Sequence, residues 1–405
     1  MTRSLMRFVG HVLALGACAG CGSTSADEAP ARSADAGGDV GMTDASSKGD
    51  AMVADASSMK DASSMKDAES DASAPDAEPA DAAPPAPLTY ENVVLDANGD
   101  PDCSFMNGAY YLYLPDQIHQ NGAAVGGRVM GYRSKDLVHW KALGAVFDNV
   151  DEAYGGDSTR GLWAPEVLAH GGKYYLYYVN VMSGGADANV GNKDIVVIES
   201  DTPEDFHSGT HRKVLLDNDY AFIDPSPFID GNKLYLLYKR RNAPGTGTRL
   251  VIRPMSDPRT FSGAQTVLLD SSDVSGSGQL EHPMMYKAGN KYFLLYSFGE
   301  GDQPSYRIAY ATSSTPTGPF VQRGTLFASD PIGAKSLSKT VIAPGAASIV
   351  EDGAGKPWMV YRQKKTAKTT FADRGVCIDP IQLAPAKNEI SGKPTKGVVR
   401  PGPAF

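Results

Sequence analysis

Five times along the chain, a turn led by Gly or Asn passes into a short run of aromatic and aliphatic residues. The runs are Asn107-Gly108-Ala109-Tyr110-Tyr111-Leu112-Tyr113, Gly171-Gly172-Lys173-Tyr174-Tyr175-Leu176-Tyr177-Tyr178 and Gly231-Asn232-Lys233-Leu234-Tyr235-Leu236-Leu237-Tyr238. They continue with Gly289-Asn290-Lys291-Tyr292-Phe293-Leu294-Leu295-Tyr296 and a weaker Gly355-Lys356-Pro357-Trp358-Met359-Val360-Tyr361. Turn residues followed by a few apolar and aromatic positions spell a strand entered from a tight turn. Anchored at residues 109, 173, 233, 291 and 356, the runs recur every 58 to 65 residues. That interval holds one four-stranded blade with its loops, so five repeats predict an all-β, five-bladed β-propeller with four-stranded blades. A propeller brings the inner strand of every blade to one axis, where residues distant in sequence meet.

The polar positions ahead of each run carry the candidate chemistry. Seven to ten residues upstream stand Asp100, Glu166, Asp224, Glu281 and Ala346 in blade order. Four of the five are carboxylates, although only about one residue in nine of the chain is acidic, so chance placement is a poor explanation. Proline lies one or two places after Asp100, Asp224 and Glu281, and immediately before Glu166. Proline cannot donate to a ladder and sits at strand starts, which puts the carboxylates around the mouth of an axial cavity. Asp257-Pro258, Asp330-Pro331 and Asp379-Pro380 read instead as ordinary turns. Clustered carboxylates suit glycosidic bond cleavage, where one is protonated to serve the leaving oxygen and another is ionised to activate water. A third negative charge holds up the pKa of the acid.

The termini change the picture. Arg3 and Arg7 precede a short apolar segment, Phe8 to Leu15, too short to span a bilayer and typical of an export leader. Leu15-Gly16-Ala17-Cys18 resembles a bacterial lipobox, with Cys21 as a second candidate. Residues 1–18 are therefore expected to be a lipoprotein-type signal peptide, leaving the protein exported and lipid-anchored at the cell envelope, or else secreted. Residues 19–87 read as a disordered acidic tether of Ala, Asp, Ser and Pro, with Ser-Ser-Met-Lys-Asp-Ala repeated at 57–62 and 63–68. Fourteen acidic and four basic side chains lie in residues 24–87, against a chain total of −9, so residues 88–405, the expected propeller domain, are nearly neutral. With no basic stripe there, nucleic acid is not an expected partner. Membrane contact is expected only through the lipid, and the oligomeric state is expected to be a monomer. Cys103 and Cys377 allow either a bridge between the first and last blades or two buried thiols. No CxxC or His-rich cluster suggests zinc.

In these residues the chain resembles glycoside hydrolase family 43, the five-bladed arabinanases, arabinofuranosidases and β-xylosidases. The resemblance rests on Ser134-Lys135-Asp136-Leu137-Val138-His139-Trp140, Trp163-Ala164-Pro165-Glu166, Ile223-Asp224-Pro225-Ser226 and Glu281-His282-Pro283, in order at blade spacing after the opening Asp100-Pro101. It implies Asp100 as the base, with Asp102 a competitor, Asp224 as the group that tunes the acid, and Glu281 as the acid. It further implies an inverting hydrolase of α-L-arabinofuranosidic or β-D-xylosidic bonds, acting on oligosaccharide or polysaccharide. Trp163, Glu166, Phe298 and Arg374 are the candidate substrate-binding residues; Phe222 reads as core. The family's fifth-blade histidine is replaced by Ala346 and its Tyr-His strand ending by Tyr361-Arg362. No cofactor is therefore expected, and calcium is not assumed. The same departure keeps open a glycan-binding lipoprotein without turnover, and the fold alone allows a protein-interaction propeller. Propellers that cleave fructosides fit less well, because their third and fourth blades differ at Ile223 and His282. Stretches near 116–130, 183–194 and 241–249 read as loops that would shape the cavity mouth.

Overall fold

The computed structural model describes residues 86–120, 123–148, 162–181, 193–216, 222–241, 247–276, 278–331, 333–368 and 373–405. The expected leader and lipidation site, and the tether up to residue 85, lie outside these residues. No helix among them is long and apolar enough to cross a membrane.

Five antiparallel sheets follow one another along the chain as the blades of a β-propeller. Blade one is β2 (Asp102–Met106), β3 (Ala109–Gln120), β4 (Ala123–Ser134) and β5 (Trp140–Asp148). Blade two is β6 (Leu162–His170), β7 (Lys173–Val181), β8 (Lys193–Ser200) and β9 (Thr210–Leu216). Blade three is β10 (Phe222–Asp230), β11 (Lys233–Arg241) and β12 (Thr248–Asp257), with its outer edge split into β13 (Thr260–Phe261) and β14 (Thr266–Asp270), both paired to β12. Blade four is β15 (Gln279–Ala288), β16 (Lys291–Gly299), β17 (Arg307–Ser313) and β18 (Val321–Phe327). Blade five is β19 (Gly345–Glu351), β20 (Pro357–Lys364), β21 (Arg374–Ala384) and β22 (Glu389–Gly392). The repeated aromatic runs are the second strands β3, β7, β11, β16 and β20. Residues 116–130 are not a loop: β3 and β4 pair through this stretch as a long hairpin, with Asp116 opposite Arg128. Most of 183–194 and 241–249 lies outside the described residues.

The second strands are apolar at nearly every position because both of their faces are covered. Tyr111 and Tyr113 pack with Leu176, Tyr178 and Val196 of blade two, whereas Leu112 and Leu114 pack with Trp358, Val360 and Val376 of blade five. The same alternation builds clusters between blades two and three, three and four, and four and five. Outer strands β5 and β18 show the opposite pattern, with mostly exposed or half-buried residues that blunt the sheet edges. Cys103 lies in the cluster between blades five and one and Cys377 in that between blades four and five; both are free, buried thiols, so the bridge is not formed.

Ring closure is reinforced by the N-terminal segment. Strand β1 (Thr89–Tyr90) pairs with β23 (Arg400–Pro401), and Leu95 bridges to Val376. Buried Asp379 of β21 accepts hydrogen bonds from Tyr90 Oη (3.0 Å), Asn92 Nδ2 (3.0 Å), Tyr361 Oη (2.8 Å), Thr395 N (2.8 Å) and Thr395 Oγ1 (2.7 Å). Asp379→Ala would strand these donors in the core. It is expected to lower the unfolding free energy by about 3–5 kcal/mol, measured by urea titration.

Candidate active site

Four of the five inner strands enter the axis through the same distortion. Register slips between Trp163 and Glu166, Ile223 and Ser226, Glu281 and Met284, and Gly345 and Ser348. Within each bulge one residue takes the left-handed conformation: Ala164 (φ 43°), Asp224 (57°), His282 (47°) and Ala346 (47°). Proline follows in three of the four. Strand pairing of Asp102 with Tyr113 puts Asp100 at the matching place in blade one. The axial ring is thus Asp100, Ala164, Asp224, His282 and Ala346.

This register corrects the carboxylate phasing expected from the sequence. Asp100 and Asp224 are equivalent, but Glu281 stands one residue earlier, in the layer of Trp163, Ile223 and Gly345. Glu166 stands two residues later, in the layer of Asp102, Ser226, Met284 and Ser348. The difference was present in the spacing: from the anchors of the repeated runs Asp100 and Asp224 are both 9 residues upstream, Glu166 is 7 and Glu281 is 10, a spread that a window of seven to ten residues passes over. The later layer lines an axial cavity of about 490 Å³ that continues to Met106, Tyr286 and Glu351 at the far ends of the inner strands. Burial raises the Asp102 carboxyl to about 7 and lifts Glu166 well above its ordinary value, the latter also through the charge of Asp102. Glu166 therefore lines this cavity two residues along from the ring.

Asp100, Asp224 and Glu281 do come together. Asp100 accepts from Arg362 Nε at 2.6 Å and Arg374 Nη1 at 3.0 Å, with His282 Nε2 3.4 Å away. Burial would raise its pKa, but Arg374, His282 and Arg362 carry it well below the ordinary value. Asp224 accepts from the His282 backbone N–H at 3.0 Å and faces its Nδ1 at 3.6 Å; burial moves its carboxyl upward. Glu281 accepts from Lys239 Nζ at 2.6 Å and Tyr306 Oη at 2.9 Å. Burial opposes its ionisation, yet Lys239 and His282 bring the carboxyl down to about 2. In the ligand-free site Glu281 is thus a carboxylate, not the protonated acid that the resemblance implies.

The other expected residues divide. Arg374 touches Asp100 and forms a two-pronged pair with Asp302, Nε to Oδ1 at 2.9 Å and Nη2 to Oδ2 at 2.8 Å. Half-buried Trp163 occupies in blade two the place of Glu281 in blade four, and Lys193 Nζ lies 5.0 Å over its ring. Phe298 is not at the mouth: it is fully buried in the cluster between blades three and four, with Arg307 over its ring. Phe222 is buried edge-on against Tyr238, as expected of core.

Several site residues were not anticipated. Lys239 and Arg362 are equivalent, each directly after the closing tyrosine of its repeat and opposite the layer of Glu281, so their signal was present in the periodicity. Tyr306 and Asp302 come from the segment between β16 and β17, which has no counterpart in the repeat. Gly345 explains how Tyr306 gets there: a Cβ at 345 would lie 2.1 Å from Tyr306 Cε1, so only glycine lets the ring pass to Glu281. Arg362 covers the same ring at 4.7 Å.

Position 346 offers a methyl group, and Asp100 already faces two guanidinium groups and an imidazole. Among the described residues no three His, Cys, Asp or Glu side chains are placed to hold a metal ion.

With the geometry established, comparison places the chain. The profile of glycosyl hydrolases family 43 matches residues 90–386. The chain belongs to this family. It is a glycosidase by that membership. It is 27% identical over 283 residues to a probable arabinan endo-1,5-alpha-L-arabinosidase A of Aspergillus flavus, covering 64% of this chain and 84% of the relative. It is 27% identical over 266 residues to an arabinoxylan arabinofuranohydrolase of Bacillus subtilis, covering 56% of this chain and 49% of that protein. A crystal structure of a thermostable family-43 glycoside hydrolase superposes with TM-score 0.63 at 25% identity, over 78% of this chain and 99% of that one.

Arg374 holds two carboxylates, Asp100 and Asp302. Both have lowered pKa values, so they contribute stability above about pH 4 that is lost as pH falls through their folded values. Arg374→Met is expected to cost about 3–5 kcal/mol near neutral pH. The gap to the parent should narrow only as pH falls below the ordinary carboxylate range and through the lowered folded values of both groups, which urea unfolding across pH checks.

Proposed function

We propose that this family 43 glycosidase cleaves α-L-arabinofuranosidic or β-D-xylosidic bonds in plant-type polysaccharides or oligosaccharides, with inversion. One observation carries the reading: carboxylates from blades one, three and four converge on the axis in unlike electrostatic surroundings. Asp100, ionised between two arginines and His282, has the protonation state that a water-activating base needs. Asp224 is the neighbouring charge that tunes the acid. Glu281 serves the leaving oxygen. Because Lys239 holds Glu281 ionised before substrate arrives, the leaving-group oxygen must displace the ammonium from Oε1. Burial, the first influence on this carboxyl, then raises its proton affinity, so that it takes up a proton from solvent and afterwards gives it to the leaving oxygen. Relatives named for arabinan and arabinoxylan support the choice of sugars. A lipid-anchored monomer at the envelope, working without a metal cofactor, completes the proposal.

The Glu281–Lys239 pair also favours a second reading, a glycan-binding propeller without turnover, because it withholds the proton that cleavage needs. The test is product release from nitrophenyl α-L-arabinofuranoside, nitrophenyl β-D-xyloside, linear arabinan and arabinoxylan. Hydrolysis is expected on at least one, with Asp100→Asn and Glu281→Gln each lowering kcat by about 10²–10⁴-fold. Proton NMR of the first product should show the inverted anomer. Saturable oligosaccharide binding with no product, retained in Glu281→Gln, would select the second reading.

A further inference from the structure

His282 combines an unfavourable backbone with a central side chain. Its φ of 47° lies in the left-handed region, which costs a non-glycine residue about 1–2 kcal/mol. The turn itself does not need the imidazole, since Ala164 and Ala346 make the same bulge in blades two and five. What the ring adds is a link across the axis. Nε2 faces Asp100 Oδ2 at 3.4 Å, Nδ1 faces Asp224 Oδ1 at 3.6 Å, and the backbone N–H of the same residue donates to Asp224 Oδ2 at 3.0 Å. Two carboxylates from different blades thereby share one rigid, two-ended group. Strained backbone held in place by its surroundings is a mark of functional positions.

We propose that His282 is a positioning residue, its ring spanning Asp100 and Asp224 so that both carboxylates keep a fixed separation and orientation during hydrolysis. This rests on the reading of Asp100 and Asp224 given under Proposed function. Only the imidazolium, with a proton on each nitrogen, serves both ends at once. The groups facing it are Asp100 of blade one, Asp224 of blade three and its own neighbour Glu281. Lys239 stands behind Asp224 and Glu281, and Arg362 and Arg374 stand behind Asp100. Burial pushes the imidazole down, but Asp224, Asp100 and Glu281 outweigh it and raise it to about 9. The bridge is therefore complete at neutral pH and opens as pH rises through that value.

The test uses the full chain and two readouts. His282→Gly suits the left-handed backbone, so folding should survive, which its melting curve checks. On a turned-over substrate, the parent is expected to show an alkaline limb near pH 9, and this variant to lose that limb together with about 10–100-fold in kcat, with little change in KM. Independently, imidazole NMR of the ligand-free parent should show one histidine, absent in His282→Gly, titrating near 9 and falling toward 6.5 in Asp100→Asn. Retention of kcat within about threefold would overturn the proposal. So would a lower kcat with the alkaline limb unmoved, which marks a merely structural role, or titration near 6.5 in the parent. Absence of turnover in the parent would refute the hydrolase reading and the catalytic purpose of the bridge, while the NMR titration still decides whether the bridge exists.

Discussion

A strand buried on both faces has no stable form without a neighbour on each side. That constraint governs this molecule, because the second strand of every blade is covered on both sides by adjacent blades. The sheets therefore hold as a ring rather than as five units, and the ring is as strong as its seam. Here the seam is blade five against blade one, with the N-terminal segment threaded onto β21 and knotted at Asp379 by side-chain hydrogen bonds. Closure also fixes the axis, and the axis is where the chemistry sits.

Bringing carboxylates to a buried axis is costly unless cations come with them. Asp100, Asp224, Glu281 and Asp302 are met by Lys239, His282, Arg362, Lys364 and Arg374, drawn from blades three, four and five. The allocation is uneven, and the unevenness differentiates the site. Asp100 takes two guanidinium groups besides His282 and falls in pKa, while at Asp224 burial outweighs His282 and Lys239 and the pKa rises. Glu281 is held chiefly by one ammonium group, that of Lys239. A uniform field would have made the carboxylates equivalent and useless for chemistry that needs one proton donor and one acceptor.

The beneath-ring layer shows the same physics without the compensation. Asp102 and Glu166 have hydrogen-bond donors but no cation among the causes of their shifts, and burial raises both. Two residues along a strand thus separate an ionised carboxylate from one that holds its proton more tightly. The difference is made by which neighbouring strands end in Lys or Arg.

The sequence by itself determined the blade count, the second strands and the presence of Asp100, Asp224 and Glu281 near the axis, because each of these is a local pattern repeated at a regular interval. Turn residues ahead of aromatic runs encode strands in all five blades, and the prolines beside Asp100, Glu166, Asp224 and Glu281 fall near the starts of inner strands. Only the tertiary structure decided the register of the ring. Pairing with the second strands put Glu166 and Glu281 in layers other than that of Asp100 and Asp224. It also decided the partners: Tyr306 and Asp302 reach the site from an irregular segment, and Arg362 and Arg374 meet Asp100 across more than two hundred residues. Phe298 went to the core and Glu166 to the axial cavity because inter-blade packing, not residue type, decides which way a side chain points. Pairing energies act through space, and a chain read in order carries the identities of charged groups but not the distances that set their protonation.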